Sequence, residues 1–320
     1  MRIPKTLPGA VALVTSHSEP WPPRIALVPQ IFFVPRLPGR NSPEIPLWLR
    51  VERVRLGIIA DIHGNLEALR AVLADADRLG VDRWWALGDL VLFGPRPAEV
   101  LELLRGLPGL GMLRGNTDRY VLTGDQPAPH ATAADAAGSV DLVERYGAVA
   151  GGIGWTRGVL DQAGLLADLS ALPAQLRLRS AGGVRVLGVH ASPASDDGPG
   201  IDPGIADERL LALLAGCDAD VVVGGHTHFV TDRVVGGIRA LNPGSAGMSR
   251  TCGTADWLLL DVGDVGDGGL ERLTVTPRSV PFDVAAVVSD LHRRRHPNAE
   301  FITGVLTGQH QQIRTVTPGP

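Results

Sequence analysis

Residues 57–69 read GIIADIHGNLEAL, and the two ends of that stretch follow different periods. From Val54 onward, VRLGIIA is an apolar run of strand length. After Asn65, the apolar residues Leu66, Leu69, Val72, Leu73, Ala76 and Leu79 recur at helical spacing. Asn65 suits an N-cap and Gly80 the residue that closes such a helix. Between strand and helix stand Asp61 and His63, a carboxylate and an imidazole at the end of a buried strand. Such groups are costly to bury unless something binds them.

The alternation continues outward. DRWWALG at 82–88 and LGMLRG at 110–115 read as strands, and PAEVLELLRG at 97–106 as a helix with Pro97 in its first turn. This order predicts an α/β core with parallel pairing at its centre. Residues 118–173 read as a mostly helical insertion over one edge of the sheet. Strands resume at QLRLRS, VRVLGVH and DVVVGG, with the helix DERLLALLAG before the last of them. TDRVVGGIRAL predicts a hairpin turning at Gly236 and Gly237. ADWLLLDVG and ERLTVTPRS add strands, and FDVAAVVSDLHRRRH a last helix. The second half is richer in antiparallel β, so two sheets packed together with helices outside are expected.

Residues 1–50 differ from the rest. Ten prolines and no helical or strand period predict an extended or disordered arm outside the fold. VERVRLGIIAD looks like a natural beginning, so a start placed too far upstream is a second expectation for this arm. A single domain is expected over 51–306, with a frayed tail at 307–320. The formal net charge is −4 with no long block of either sign, which argues against a nucleic-acid partner. The apolar run IALVPQIFFVP is too short for a membrane span and is broken by Pro29 and Pro35. Cys217 and Cys252 form no metal-binding pair by spacing and suit a reducing, cytoplasmic setting.

Polar residues recur where strands end: Asp61 and His63, Asp89 in LGDL, Asn116 in RGNTD, His190 in GVHASP, and His226 and His228 in GGHTH. In open α/β sheets, ligands bind outside the carboxyl ends of strands. The two-residue spacing of Asp61/His63 and His226/His228 puts each pair on one side of an extended backbone. A lone DxH is commonplace, and a buried histidine is more often hydrogen-bonded core than ligand. Seven donors ending successive strands are not explained that way. Carboxylate, amide and imidazole without thiolate suit Mn²⁺, Zn²⁺ or Fe.

These motifs resemble the calcineurin-like metallophosphoesterase superfamily, with its DxH, GD, GNx(D/E), H and GHxH pattern, and the small bacterial and archaeal phosphodiesterase branch in particular. The likeness runs from about Arg55 to Asp283 and includes LNPGS after the GHTH hairpin. It implies a two-sheet mixed β-sandwich flanked by helices, the four-layer αββα arrangement. It also implies two divalent metal ions, Mn²⁺ favoured. Asp61, His63 and His228 would hold one, Asn116, His190 and His226 the other, and Asp89 would bridge them. A metal-bridging hydroxide held by Asp61, Asp89 and Asn116 would then attack a small phosphodiester or phosphomonoester, with no side-chain nucleophile. The protein-phosphatase branch pairs an aspartate with a histidine to help the leaving group. Leu92 and Thr117 occupy those positions here, so the leaving-group acid is unassigned. A nuclease of the same superfamily and a non-catalytic scaffold on the same fold are the alternatives.

Around these donors, Asn65 either caps the helix alone or also hydrogen-bonds near the first metal as a substrate-binding candidate, and Arg114 at the rim is a candidate for phosphate oxygens. Phe93 and Arg96, in the loop after Asp89, are candidates for stacking and pairing with substrate. Asp118 either orients a ligand or caps the next turn. Trp155 reads as core, His130 as solvent-exposed, and HRRRH at 292–296 as a solvated helix end.

Overall fold

The computed structural model describes residues 49–51, 53–127, 132–263 and 273–309. His130, residues 1–48 of the Pro-rich arm and the tail after residue 309 lie outside these. The first strand, β1 (Leu49–Val51), begins two residues before the expected boundary of the fold, pairing in parallel with β5 (Leu176–Ser180). Three residues of strand carry too little pattern to stand out beside so many prolines.

β2 (Val54–Ile59) leads into α1 (Leu66–Ala76), β3 (Arg83–Leu87) into α2 (Pro97–Arg105), and β4 (Gly111–Leu113) into α3 (Asn116–Thr123). Three helices follow: α4 (Ala133–Ala136), α5 (Val140–Gln162) and α6 (Leu166–Ser170). After β5 come β6 (Arg185–Gly188), α7 (Asp207–Leu213), β7 (Val221–Val223), and a hairpin of β8 (Val230–Val235) with β9 (Ile238–Pro243). It turns at Gly236 and Gly237, whose φ of 56° and 83° suit the twist of an antiparallel pair. β10 (Thr254–Val262), β11 (Leu273–Pro281), α8 (Val284–Arg293) and α9 (Ala299–Leu306) complete the order. α9 lies beyond FDVAAVVSDLHRRRH, the stretch expected to be the last helix.

Two mixed sheets result. One has the order β11-β10-β2-β3-β4, the other β1-β5-β6-β7-β9-β8. Strand alternation then builds the layers. Leu56, Ile58, Trp85, Leu87, Leu258 and Leu260 face inward and pack with Leu178, Val186, Val221 and Val223 of the second sheet. Their neighbours Ile59, Trp84, Ala86, Trp257 and Leu259 face outward, under residues of α1, α2, α3 and α5. On the far side, Leu187 and Val222 pack under Leu210 of α7. The fold is therefore the four-layer α/β sandwich, with strands buried on both faces that read as continuous apolar runs. No helix among the described residues is long and apolar enough to cross a membrane.

One buried charge locks the outer helix to its sheet. Asp75 on α1, only 4% exposed, accepts from Trp257 Nε1 at 3.2 Å and from Arg278 Nε and Nη2 at 2.9 and 2.8 Å. Arg278 and Arg78 hold its carboxyl below the usual range against the opposing effect of burial. Hydrogen bonds to a charged group each contribute roughly 1.5–3 kcal/mol. Asp75→Asn is expected to lower unfolding free energy by about that amount in urea titrations, because the amide cannot serve both tryptophan and arginine.

HRRRH at 292–296 is the expected solvated face at His292, Arg293 and Arg295 and departs from it at Arg294 and His296. Arg294 pairs with Glu99 of α2, and His296 is 4% exposed with its ring edge-on to Trp155, centroids 4.5 Å apart. Its Nδ1 accepts from the Asn298 N–H at 3.2 Å, and Nε2 is buried with no hydrogen-bond partner among the described residues. Burial pushes this imidazole down to about 4 from 6.5. Between those values the unfolded chain binds the extra proton and the folded one does not, so stability falls as pH drops through that window. Melting curves from pH 7 to 4 should show a shallower loss in His296→Phe than in the native protein; equal slopes would refute this role.

Candidate metal centre

All seven donors lie where strands of both sheets end or in the loops just beyond. Asp61 and His63 follow β2, Asp89 follows β3, Asn116 follows β4, His190 follows β6, and His226 and His228 follow β7. The central pairings β2–β3–β4 and β6–β7 are parallel, so these carboxyl ends share one rim.

Strand alternation, the reason the spacing offers for Asp61 and His63 sharing a side, is not how they meet. Asp61, His63, Asp89, His226 and His228 all have positive φ, between 51° and 70°. Each is a left-handed turn residue, a conformation that costs a non-glycine side chain of order 1–3 kcal/mol and is held by its surroundings. Phe93, at φ 90°, joins them, and only Arg295 among the described non-glycine residues shows positive φ elsewhere. A mesh of backbone hydrogen bonds does the holding. The N–H groups of Asp61 and His63 donate to the carbonyls of Gly88 and Asp89, and Gly225 N–H donates to His190 O. Two glycines leave room for the carboxylates: a Cβ on Gly115 would lie 2.2 Å from Asp89 Oδ1, and one on Gly225 would lie 2.6 Å from Asp61 Oδ2.

The imidazoles are oriented from outside. Nδ1–H of His63, His190 and His228 donates to the carbonyls of Leu92, Leu87 and Met248 at 3.1, 2.7 and 3.1 Å. Nε2–H of His226 donates to Gly198 O at 2.9 Å. A carbonyl only accepts, so in each neutral ring the other nitrogen turns a lone pair inward. His63 Nε2 and His228 Nε2 thus face one another at 3.1 Å. His228 Nε2 lies 3.4 Å from Asp61 Oδ1, and His190 Nε2 lies 3.2 Å from Asp89 Oδ1. His190 Nε2 and His226 Nδ1 flank Asn116 Oδ1 at 3.0 and 3.1 Å. Asp61, His63 and His228, and likewise Asp61, Asp89 and His190, offer ligand atoms within 4.8 Å of one another and could hold a metal ion.

Electrostatics favour positive charge at this point. Burial, with repulsion from His228 and His190, drives His63 down to about 4 although Asp89 and Asp61 attract a proton. Burial acts on His190 in the same sense, yet the charge and hydrogen bond of Asp89 lift it to about 10. Burial also opposes ionisation of Asp89, and the histidines around it override that and hold its carboxyl low. Without a metal His190 shares a proton with Asp89 while His63 stays neutral, and a cation at the cluster would take the inward nitrogens of both rings.

The neighbours expected from sequence fall into different places. Asn65 Oδ1 caps α1 by accepting from Ala68 N–H, and its Nδ2 donates to Gly247 O. Phe93 packs against the His63 ring, centroids 5.3 Å apart. Arg96 pairs with Asp290 of α8 and Glu99 rather than standing free at the rim. Arg114 lines a cleft that none of the seven donors lines. Asp118 is fully buried: it accepts from the N–H groups of Leu90 and Val91 through one oxygen and from Gly115 N–H through the other. It thereby ties the loop of Asp89 to that of Asn116. The Leu92 side chain is in the core, and Thr117 gives its N–H to Asp89 Oδ1 at 2.9 Å.

Two supporting residues carry no donor pattern of their own. Asn242 Nδ2 donates to Gly225 O at 2.7 Å, and Ser245 Oγ donates to Asp61 O at 2.8 Å. Both belong to the LNPGS turn, whose turn-forming composition is the signal that marks them.

The profile of the calcineurin-like phosphoesterase superfamily domain matches residues 54–264. An uncharacterized protein of Methanocaldococcus jannaschii is 36% identical over 138 residues, 43% of this chain and 49% of that protein. A symmetrical bis(5'-nucleosyl)-tetraphosphatase of Yersinia enterocolitica is 42% identical over 67 residues, 20% of this chain and 23% of the relative. The chain thus spans half or less of the length of these curated relatives. Among solved structures, a hypothetical protein from Pyrococcus horikoshii shares the fold, with a TM-score of 0.63 at 21% identity over 79% of this chain and 97% of that one. A metallophosphoesterase from Sphaerobacter thermophilus aligns with a TM-score of 0.59 at 26% identity, over 80% and 99% of the two chains. With more than half its length matched by that profile, and the profile's sandwich built around these donors, the chain belongs to the calcineurin-like phosphoesterase superfamily.

Proposed function

We propose that the protein is a dinuclear metal-dependent phosphoesterase acting on a small phosphodiester or phosphomonoester. The observation that carries this reading is the set of four imidazoles, each tied outward to a backbone carbonyl with its other nitrogen turned into a cluster that holds two buried carboxylates and Asn116. A scaffold needs no such convergence. Asp61, His63 and His228 would hold one ion, and Asn116, His190 and His226 the second. Asp89, with one oxygen toward His190 and the other toward His63, would serve both. The donors suit Mn²⁺, Zn²⁺ or Fe, and the family resemblance favours Mn²⁺ among them. Bound there, divalent cations supply Lewis-acid charge for phosphoryl oxygens and ionise water near neutral pH.

The chain's own residues position and exclude. Thr117 N–H fixes one oxygen of Asp89, and Asp118 fixes the loops on either side of it. Phe93 walls the His63 side. Leu92 and Thr117 offer no ionisable group to a departing alkoxide, which favours substrates with good leaving groups. Similarity to the tetraphosphatase adds dinucleoside polyphosphates to the substrates worth assaying. Two cysteines without disulfide or metal-site spacing suit a reducing compartment, and the cytoplasm is the proposed setting.

Chelation is expected to abolish hydrolysis of bis-p-nitrophenyl phosphate and p-nitrophenyl phosphate, and Mn²⁺ to restore it. Asp89→Asn should lose about 100-fold or more in kcat together with bound metal measured by atomic emission. Full activity in that variant, or turnover after metal removal, would overturn the reading. Asp118→Asn, which touches none of the proposed ions, should lower activity about 10–100-fold by loosening the two loops, as outer partners of metal ligands do.

A further inference from the structure

A cleft of about 480 Å³ opens between α3, α5 and α6, with Arg114, Arg119, Leu122, Arg157, Ala167 and Ser170 among its walls. Three guanidiniums meet there under different conditions. Arg119 is neutralised, bound through two nitrogens to Asp196 at 2.9 and 3.0 Å and reaching Asp197 and Asp125 at 3.4 and 3.3 Å. Arg157 donates to the carbonyls of Val121 and Leu122 at 2.9 and 2.6 Å and meets no carboxylate among the described residues. Arg114 has no acidic partner among them either, and its Nε is buried without an acceptor. The nearby acid on α6, Asp168, pairs with Arg105. Asp196, Asp197 and Asp125 gather on Arg119, so Arg114 and Arg157 share the cleft with no carboxylate in direct contact among the described residues.

Such an arrangement is unfavourable by itself, since like charges repel and a desolvated donor goes unmet. An oxyanion with several acceptor oxygens relieves both effects. Guanidiniums match phosphate geometry with paired N–H groups, and the exposed Ser170 hydroxyl adds a further donor on the same wall. We propose that this cleft is an anion site separate from the Asp/His cluster, taking a phosphate group through Arg114 and Arg157. Arg119 connects it to the cluster: the segment it holds at Asp196 and Asp197 continues to Gly198, whose carbonyl orients His226. The phosphate is either free or the remote group of a larger substrate.

The test uses the full chain stripped of metal by chelator, so its outcome is independent of whether the cluster is catalytic. Titration with inorganic phosphate, followed by calorimetry at low salt, is expected to give a saturable isotherm. Arg114→Gln combined with Arg157→Gln should weaken it about tenfold or more, the loss of one charge-assisted contact or greater. Ala167→Glu is exposed on α6 and carries little risk to folding; its carboxylate should neutralise the arginines and weaken phosphate to a similar extent. Equal binding in the wild type and both variants, or no saturable binding in the wild type, would overturn the proposal. With metal restored, the two sources separate. Free phosphate would change the wild-type rate and leave Ala167→Glu unaffected. A remote substrate phosphate would instead raise KM in Ala167→Glu only for substrates that carry a second phosphate.

Discussion

A neutral imidazole has one N–H and one lone pair, and whichever nitrogen is tied to a carbonyl decides where the other points. In this protein Leu87, Leu92, Gly198 and Met248 each provide such a carbonyl, and the other nitrogen of all four rings turns inward as a consequence. His63 and His228 then stand nitrogen to nitrogen at 3.1 Å beside two buried carboxylates. Most of what surrounds the cluster follows from keeping these atoms together. The loops are meshed by backbone hydrogen bonds, two glycines give way to the Asp61 and Asp89 oxygens, and Asp118 ties the loops beyond the paired ends of β3 and β4.

The same constraint accounts for where the backbone is strained. Positive φ at Asp61, His63, Asp89, His226 and His228 is a concentration that random turns would not produce. Each departs from the strand just as it leaves the sheet, so the side chain turns across the rim instead of continuing the pleat. The rest of the sandwich offsets this local cost with strands apolar on both faces and with anchors such as Asp75 beneath Trp257 and Arg278. Local rules are broken at the rim and obeyed elsewhere, as expected of a functional site.

Much of this was legible in the residues. β2, β3 and β10 are continuous apolar runs, the hairpin carried its Gly236-Gly237 turn, and Asn65 and Gly80 bounded the first helical segment. The seven donors were visible because each ends a predicted strand or sits in the loop just after it. What was not legible depends on distant partners. Arg96 looked available in its loop, yet its partner Asp290 lies 194 positions away. Arg114 pointed to phosphate, but only the helices between β4 and β5 show that it shares a cleft with Arg157. His296 sat in a run of basic residues, and nothing local revealed that Trp155 covers it. Left-handed backbone at Asp61 and His63 was hidden as well, since their spacing is equally compatible with an extended strand.

The strand order carries a consequence for biosynthesis. β2, which delivers Asp61, is sandwiched between β3 and β10, and Ile58 pairs with Leu258, 200 positions later. On the ribosome, the amino-terminal half must therefore wait with one edge of its central strand unpaired. Contacts this distant slow folding and leave intermediates open to aggregation. The sheet closes only after the GHTH loop has been synthesised, so a nascent chain has His226 and His228 before the framework that aims them is complete.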